Sequence, residues 1–225
     1  MRLLRRRPKT FDIQVHDLLL HVTTAEDVED EARAAALSSW EQLQAYALQH
    51  PEFRTSERPI PVPREAPAIV REVCRAAVRA GVGPMHAFRG AVVDQVGRFL
   101  ARNVTEVVVR CGGDHFIATR RRMKLTVHRG AAGPIALVVG PHREGVGVST
   151  TAGRGRAGAV PDALAVLAAS CVLADAAAAG VEALLGEEGG LAAALRYLRR
   201  VPGVLGGLVL VDERIGVAGG VELAA

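Results

Sequence analysis

The sequence predicts an α+β protein with a mostly antiparallel sheet flanked by helices, and three observations point there. Residues 10–22 alternate apolar and polar, the period of half-buried strands. Residues 28–47 and 69–80 instead carry apolar stripes at helical spacing. From residue 107 to 140, strand-like runs succeed one another across short turns, too short for the crossovers that parallel pairing requires.

The bulk composition narrows the class of function. At 225 residues, 49% of them hydrophobic and 23% charged, the chain suits one globular domain over 1–225, with 1–9 as a flexible basic tail. Aromatics are 4%, so Ala, Val and Leu must fill the core, and the stacking rings of a single-stranded nucleic-acid platform are scarce. The net charge of +4 is carried almost wholly by arginine, Lys9 and Lys124 being the lysines, and it is spread along the chain. No nucleic-acid partner is expected. Arg5–Arg7 and Arg120–Arg122 form two short clusters that fit either solvated strand ends or phosphate contacts. Cys74, Cys111 and Cys171 are odd in number and lack CxxC spacing, which disfavours disulfides and zinc and favours a reducing compartment. No signal-peptide core follows the basic N-terminus. The Ala-rich stretch 163–185 carries Ser170, Asp175 and Glu182 and is rejected as a membrane span. A cytoplasmic protein is the expectation.

The elements follow in order. Phe11, Ile13 and Val15 share one strand face, and Leu18-Leu19-Leu20 continues a hairpin, with His16 and His21 as exposed strand residues. Thr23-Thr24 is expected to cap a helix with Glu26 and Asp27 in its first turn. Val28, Ala32, Ala36, Trp40, Leu43 and Ala47 make its stripe, and it ends before Pro51. Four prolines in 51–66 predict an extended connector. Pro67 opens the next helix, buried through Ile69, Val73, Ala76, Ala77 and Ala80, and Gly81 closes it. Gly83-Pro84 opens another, with Met85, Phe88, Val92, Val96 and Phe99 inward. A strand of three valines, 107–109, buried on both faces, then runs into Gly112-Gly113-Asp114. Strands at 115–119, 123–129 and 134–140 read as a meander turning at 120–122 and 130–133. A short strand at 145–148, a glycine- and hydroxyl-rich loop at 149–160, and a strand at 163–170 follow. Helices at 172–186 and 189–200 and strands at 203–211 and 215–223, turning at 212–213, close the chain.

Four places could carry chemistry. The helix start at Gly83-Pro84-Met85-His86 offers free N–H groups to an anion, or is a plain helix start. Gly112-Gly113-Asp114 lets a ligand approach the backbone, or is a strand-to-strand turn; Cys111 beside it reads as a buried inert thiol. The stretch Ser149–Gly158, with Arg154 and Arg156, could cradle phosphate, though it lacks P-loop order, or is a surface loop. Asp175 is costly among alanines unless paired, capped or bound to metal, and with Asp162 it would suit Mg²⁺.

The segments His50-Pro51-Glu52-Phe53, Gly81-Val82-Gly83-Pro84-Met85, Gly112-Gly113-Asp114, Val148-Ser149-Thr150-Thr151-Ala152-Gly153, Asp162-Ala163 and Leu173-Ala174-Asp175-Ala176-Ala177-Ala178, with a closing stretch from Gly206 to Leu223, resemble in order and spacing the uncharacterised ApbE-like family of prokaryotic proteins. That family is distantly related to FAD:protein FMN transferase. The likeness covers about residue 10 to the end. It implies a single-domain ApbE-like α+β fold with a pocket at the Gly-Gly-Asp turn for a small phosphorylated or flavin-type ligand, FAD or FMN, with Mg²⁺. Carried over by position, Gly112, Gly113, Asp114, Ser149, Thr150, Thr151 and Gly153 would hold the ligand, and Asp162 and Asp175 the metal. Two departures are visible. The threonine that helps hold the transferase metal is Ala179, and a usual Glu-Asn before the turn is Arg110-Cys111, which reverses the charge and favours a phosphate or carboxylate over a metal. The implied activity, if the chain is an enzyme, is transferase-like and related to flavin transfer. The alternatives are a non-catalytic ligand-sensing or accessory protein and a sulfur-assimilation factor. A small molecule is the expected partner, and the chain could form a homodimer.

Overall fold

The structure, a computed structural model, describes residues 7–128, 133–151, 161–186, 189–211 and 214–224. Expectations for residues 1–6, the turns at 130–132 and 212–213, and the loop residues Gly153, Arg154 and Arg156 lie outside the described residues.

Strands β1 (Lys9–Val15) and β2 (Leu18–Thr24) form the expected hairpin, with Ile13 opposite Leu20. Helix α1 (Glu29–Gln49) starts later than its sequence suggested. Thr23 and Thr24 remain in the sheet, paired with Thr10 and Lys9, so their hydroxyls are spent there: Thr23 meets Thr10 Oγ1 at 3.0 Å and Thr24 donates to Glu26 at 2.7 Å. The acids Glu29, Asp30 and Glu31 occupy the first turn instead. The proline-rich connector opens with a short helix, α2 (Pro51–Thr55), that the extended reading missed. Pro51 is preset for a first helical position, and Phe53 is fully buried, edge-on to Tyr46 at 5.2 Å.

Helix α3 (Ala68–Ala80) ends at Gly81 in the left-handed conformation, as expected. Pro84–Ala87 is a 3-10 turn leading into α4 (Phe88–Ala101). Strands β3 (Val107–Cys111) and β4 (Asp114–Thr119) make a tight hairpin, β5 (Met123–Val127) and β6 (Ile135–Val139) a second one. Strand β7 (His142–Thr151) is longer than the short strand expected, and β8 (Ala163–Ala168) pairs beside it. Helices α5 (Cys171–Leu185) and α6 (Gly190–Arg200) precede β9 (Val204–Val211), β10 (Arg214–Gly219) and β11 (Glu222–Leu223).

The expected meander is corrected. Strand β4 pairs with β7 rather than β5, giving an antiparallel sheet in the order β1-β2-β3-β4-β7-β8-β9-β10. Strands β5 and β6 leave it to form a separate sheet, β11-β6-β5. Their apolar residues Leu125, Val127, Leu137 and Val139 cover the main sheet through Ile117, Val146, Val148, Leu208 and Leu210. The helices cover the opposite face, where Val109, Phe116, Val92, Val96 and Leu173 pack together. The result is an α+β protein of three layers, and the period-two alternation of each central strand divides its side chains between two cores. Val107 and Val109 go to the helical side, while Val108 packs on the small-sheet side. Burial on both faces, read from the valine run, is met by these two layers.

Among the described residues no helix is long and apolar enough to cross a membrane.

Candidate functional site

The β3–β4 turn is the first wall of a cavity. Cys111 faces Asp114 across the hairpin, leaving Gly112-Gly113 as a two-residue loop. Gly112 has φ +56° and Gly113 has no positive φ, the pattern of a type II′ turn that suits the twist of the strands. Gly113 lacks room for any side chain, since a Cβ there would stand 1.9 Å from the Thr150 carbonyl oxygen. Thr150 closes onto the turn, its N–H donating to the Gly113 carbonyl at 2.8 Å and its Oγ1 at 3.1 Å. The end of β7 is thereby clamped to the Gly-Gly loop, which brings Ser149, Thr150 and Thr151 beside it.

Helix α5 supplies the second wall. Asp175, Ala178, Ala179 and Glu182 line the cavity at the i, i+3, i+4, i+7 spacing of one helical face. Arg89, the second residue of α4, and Val127 and His128, at the end of β5, complete the lining of a cavity of about 390 Å³. That volume lies in the range of small-molecule sites.

The charged groups are held by specific partners. Asp114 is completely buried. It accepts from Ser149 Oγ at 2.7 Å on one oxygen and from Arg89 Nε on the other. Burial opposes the charge of Arg89, yet the facing carboxylates of Asp114 and Asp175 outweigh it and hold the guanidinium's pKa above its ordinary value. The guanidinium lies against the turn, as a Cβ built on Gly112 would stand 3.5 Å from its Cζ. His115, on the other face of β4, places Nδ1 2.9 Å from the Gly113 carbonyl, and burial lowers its pKa. Burial also raises the thiol pKa of Cys111, which fits the inert reading.

Asp175 has a structural task too. Its Oδ2 accepts from the Gly90 N–H at 2.8 Å, satisfying an orphan donor in the first turn of α4. Asp94 of α4 returns the service, accepting from the Cys171 N–H at the start of α5 at 2.6 Å and from Arg98. Each helix thus caps the other. The helices meet closely enough that a Cβ on Gly90 would be 2.6 Å from Asp175 Cβ. Of the readings open for Asp175, the cap is realised.

Gly112, Gly113, Ser149, Thr150, Thr151 and Asp175 are thus brought together at one cavity, with Asp114 directly beneath it. Asp162 is not with them: it is exposed, at the entry to β8, with its N–H on the Leu210 carbonyl. Arg110 is exposed and outside the lining, because strand alternation sends it to the face opposite Asp114. The charge reversal expected from Arg110 is delivered by Arg89 instead. His86 pairs with Glu57 at 2.8 Å and does not line the cavity. Sequence reasoning missed Arg89, Asp94, His128 and Glu182 as site groups. One signal was available for Arg89: an arginine in the first turn of a helix opposes the macrodipole and needs a reason to be there.

Among the described residues no three His, Cys, Asp or Glu side chains converge as a metal cluster. Ala179 contributes a methyl group, and one Asp175 oxygen already serves Gly90. These donors do not form a protein-only magnesium site. They fit an ion that arrives with ligand phosphates and takes a single carboxylate, a common arrangement for Mg²⁺.

A family model described as "AbpE bacteria" matches residues 1–187. A UPF0280 protein of Methanocella arvoryzae is 27% identical over 218 residues, 94% of this chain and 89% of that protein. A UPF0280 protein of Methanopyrus kandleri is 30% identical over 216 residues, 92% of this chain and 88% of that protein. Among solved structures, a mutant of the flavin transferase ApbE from Vibrio cholerae is similar with a TM-score of 0.60 at 12% identity, over 94% of this chain and 96% of that one. The apo flavinyl transferase ApbE of Pseudomonas stutzeri is similar with a TM-score of 0.57 at 18% identity, over 97% and 96%. At these identities the structural likeness is one of fold.

Proposed function

The chain belongs to the family described as AbpE bacteria, and on that premise we propose that it binds a flavin nucleotide, FMN or FAD, in the cavity between the Gly112-Gly113 turn and helix α5. The observation that carries this reading is the clamp of Thr150 onto the Gly113 carbonyl, which gathers a glycine turn, three hydroxyl residues and Arg89 around one cavity. With the Ser149 and Thr150 hydroxyl protons spent on Asp114 and the Gly113 carbonyl, the turn amides, the Thr151 hydroxyl and the Arg89 guanidinium are the donors offered to phosphate oxygens. The similar fold of the flavin transferases supports a flavin as the rest of the ligand. Asp175 is the residue that would hold a magnesium ion entering with the phosphates, where the ion would neutralise phosphate charge. Ala179, standing in place of the transferase threonine, favours binding without transfer as the second reading.

Titration of the purified protein with FMN, FAD and ATP, followed by flavin fluorescence and calorimetry, tests the proposal. Saturable binding of a flavin nucleotide, weakened in Thr151→Val, is expected. No binding to any of the three, or binding indifferent to Thr151→Val, would overturn it.

A further inference from the structure

Strand alternation divides the cavity lining between the two faces of the main sheet. On β7, Val146 and Val148 join the core beneath the small sheet, whereas Gly147 lies against Cys171 of α5. Ser149 and Thr151 therefore face the helical layer, on the side of Arg89, Asp175 and Ala179. Thr150 faces the small sheet, on the side of Val127 and His128. The cavity runs around the strand ends at the Gly112-Gly113 turn, with one half on each side of the sheet. The two halves differ in chemistry. The helical half presents the Arg89 guanidinium and the Thr151 hydroxyl, donors suited to a phosphate. In the other half the Thr150 hydroxyl already donates to the Gly113 carbonyl, and Val127 is apolar. His128 remains. It lines the cavity and makes no hydrogen bond, ion pair or ring contact among the described residues. Its side chain is exposed at the cavity rim, while its backbone is pinned by Val127, which is 1% exposed in the small-sheet core and pairs with Ile135 of β6. A neutral imidazole carries one donor and one acceptor nitrogen. Held beside an apolar residue, it suits a flat ligand part with a polar edge.

Resting on the flavin-nucleotide reading, we infer that His128 is the residue that recognises the ring system of the ligand. Its ring nitrogens hydrogen-bond the polar edge of the isoalloxazine, whose carbonyls accept and whose imide N–H donates. The phosphate stays on the helical side of the sheet, so the ligand straddles the Gly112-Gly113 turn. The small sheet is then a recognition layer as well as a cover for the core. His128 acts on a part of the ligand that FMN and riboflavin share.

The test compares FMN with riboflavin, which lacks the phosphate, by fluorescence titration of wild type, His128→Phe and His128→Gln. His128→Phe keeps a flat ring and loses both nitrogens. It is expected to weaken FMN and riboflavin alike, roughly two- to tenfold, the range of a neutral hydrogen bond. His128→Gln keeps a donor and an acceptor and should recover most of that loss. Imidazole resonances followed by NMR give a second readout. Riboflavin alone should shift the His128 ring signals, identified by their absence from His128→Gln. A loss in His128→Phe confined to FMN overturns the inference, because His128 would then touch the phosphate. Unchanged affinity for both ligands in His128→Phe, or His128 signals unmoved at saturating riboflavin, overturns it while leaving flavin binding intact. Binding of FMN with none of riboflavin does the same, since recognition would then reside in the phosphate. Failure of both ligands to bind removes the flavin reading with it.

Discussion

At the scale of single residues, His115 ties the Gly112-Gly113 turn to the sheet beneath it. Its Nδ1 meets the Gly113 carbonyl, the oxygen that also takes both donors of Thr150. Burial lowers its pKa from an ordinary value of about 6.5. Below that value, down to the lowered folded-state pKa, the unfolded chain binds more protons at this ring than the folded chain does. The contribution is therefore complete above about 6.5 and is lost as pH falls through that window. Thermal melts between pH 7.5 and 5 should show wild type losing stability more steeply than His115→Gln. Parallel profiles would contradict the assignment. Residues of this kind were half legible in the sequence. Gly112 and Gly113 announced a turn, and the turn is there. What the turn faces was decided by strand alternation over several residues, which is why Arg110 was named and Arg89 was not.

At the scale of elements, the crossing of α4 and α5 fixes the site. Asp94 and Asp175 lie inside their own helices and each accepts an N–H from the first turn of the other. Burial raises the Asp94 pKa, with Arg98 pulling it down. Removing the acceptor leaves the Cys171 N–H buried without its partner, at a cost of roughly 1–3 kcal/mol. Asp94→Ala should lower the denaturant midpoint accordingly, whereas Asp94→Asn, which keeps an acceptor oxygen, should recover most of that loss. An Asp94→Ala protein within ~0.5 kcal/mol of wild type, the usual span for surface changes, would contradict the cap. Sequence alone placed both helices closely. It could not show the crossing, because an aspartate that caps a distant helix carries no local signature.

At the scale of the molecule, three layers converge where the cavity opens. The helical layer contributes Arg89, Asp175 and Glu182, the main sheet the Gly112-Gly113 turn and Ser149–Thr151, and the small sheet Val127 and His128. The α+β class was legible from periodicity. The split of β5 and β6 into their own sheet was not, since a meander and a second layer have the same alternation and the same turns. That split matters, because it brings His128 to the site. The central claim is that a flavin nucleotide sits where these layers meet. Amide hydrogen exchange with and without FMN tests it most directly. FMN is expected to slow exchange in 112–115, 149–151 and 175–182 and to leave the β1–β2 hairpin, 9–24, unchanged. Protection confined to that hairpin or to other segments outside the cavity, or no change anywhere at saturating FMN, would contradict it.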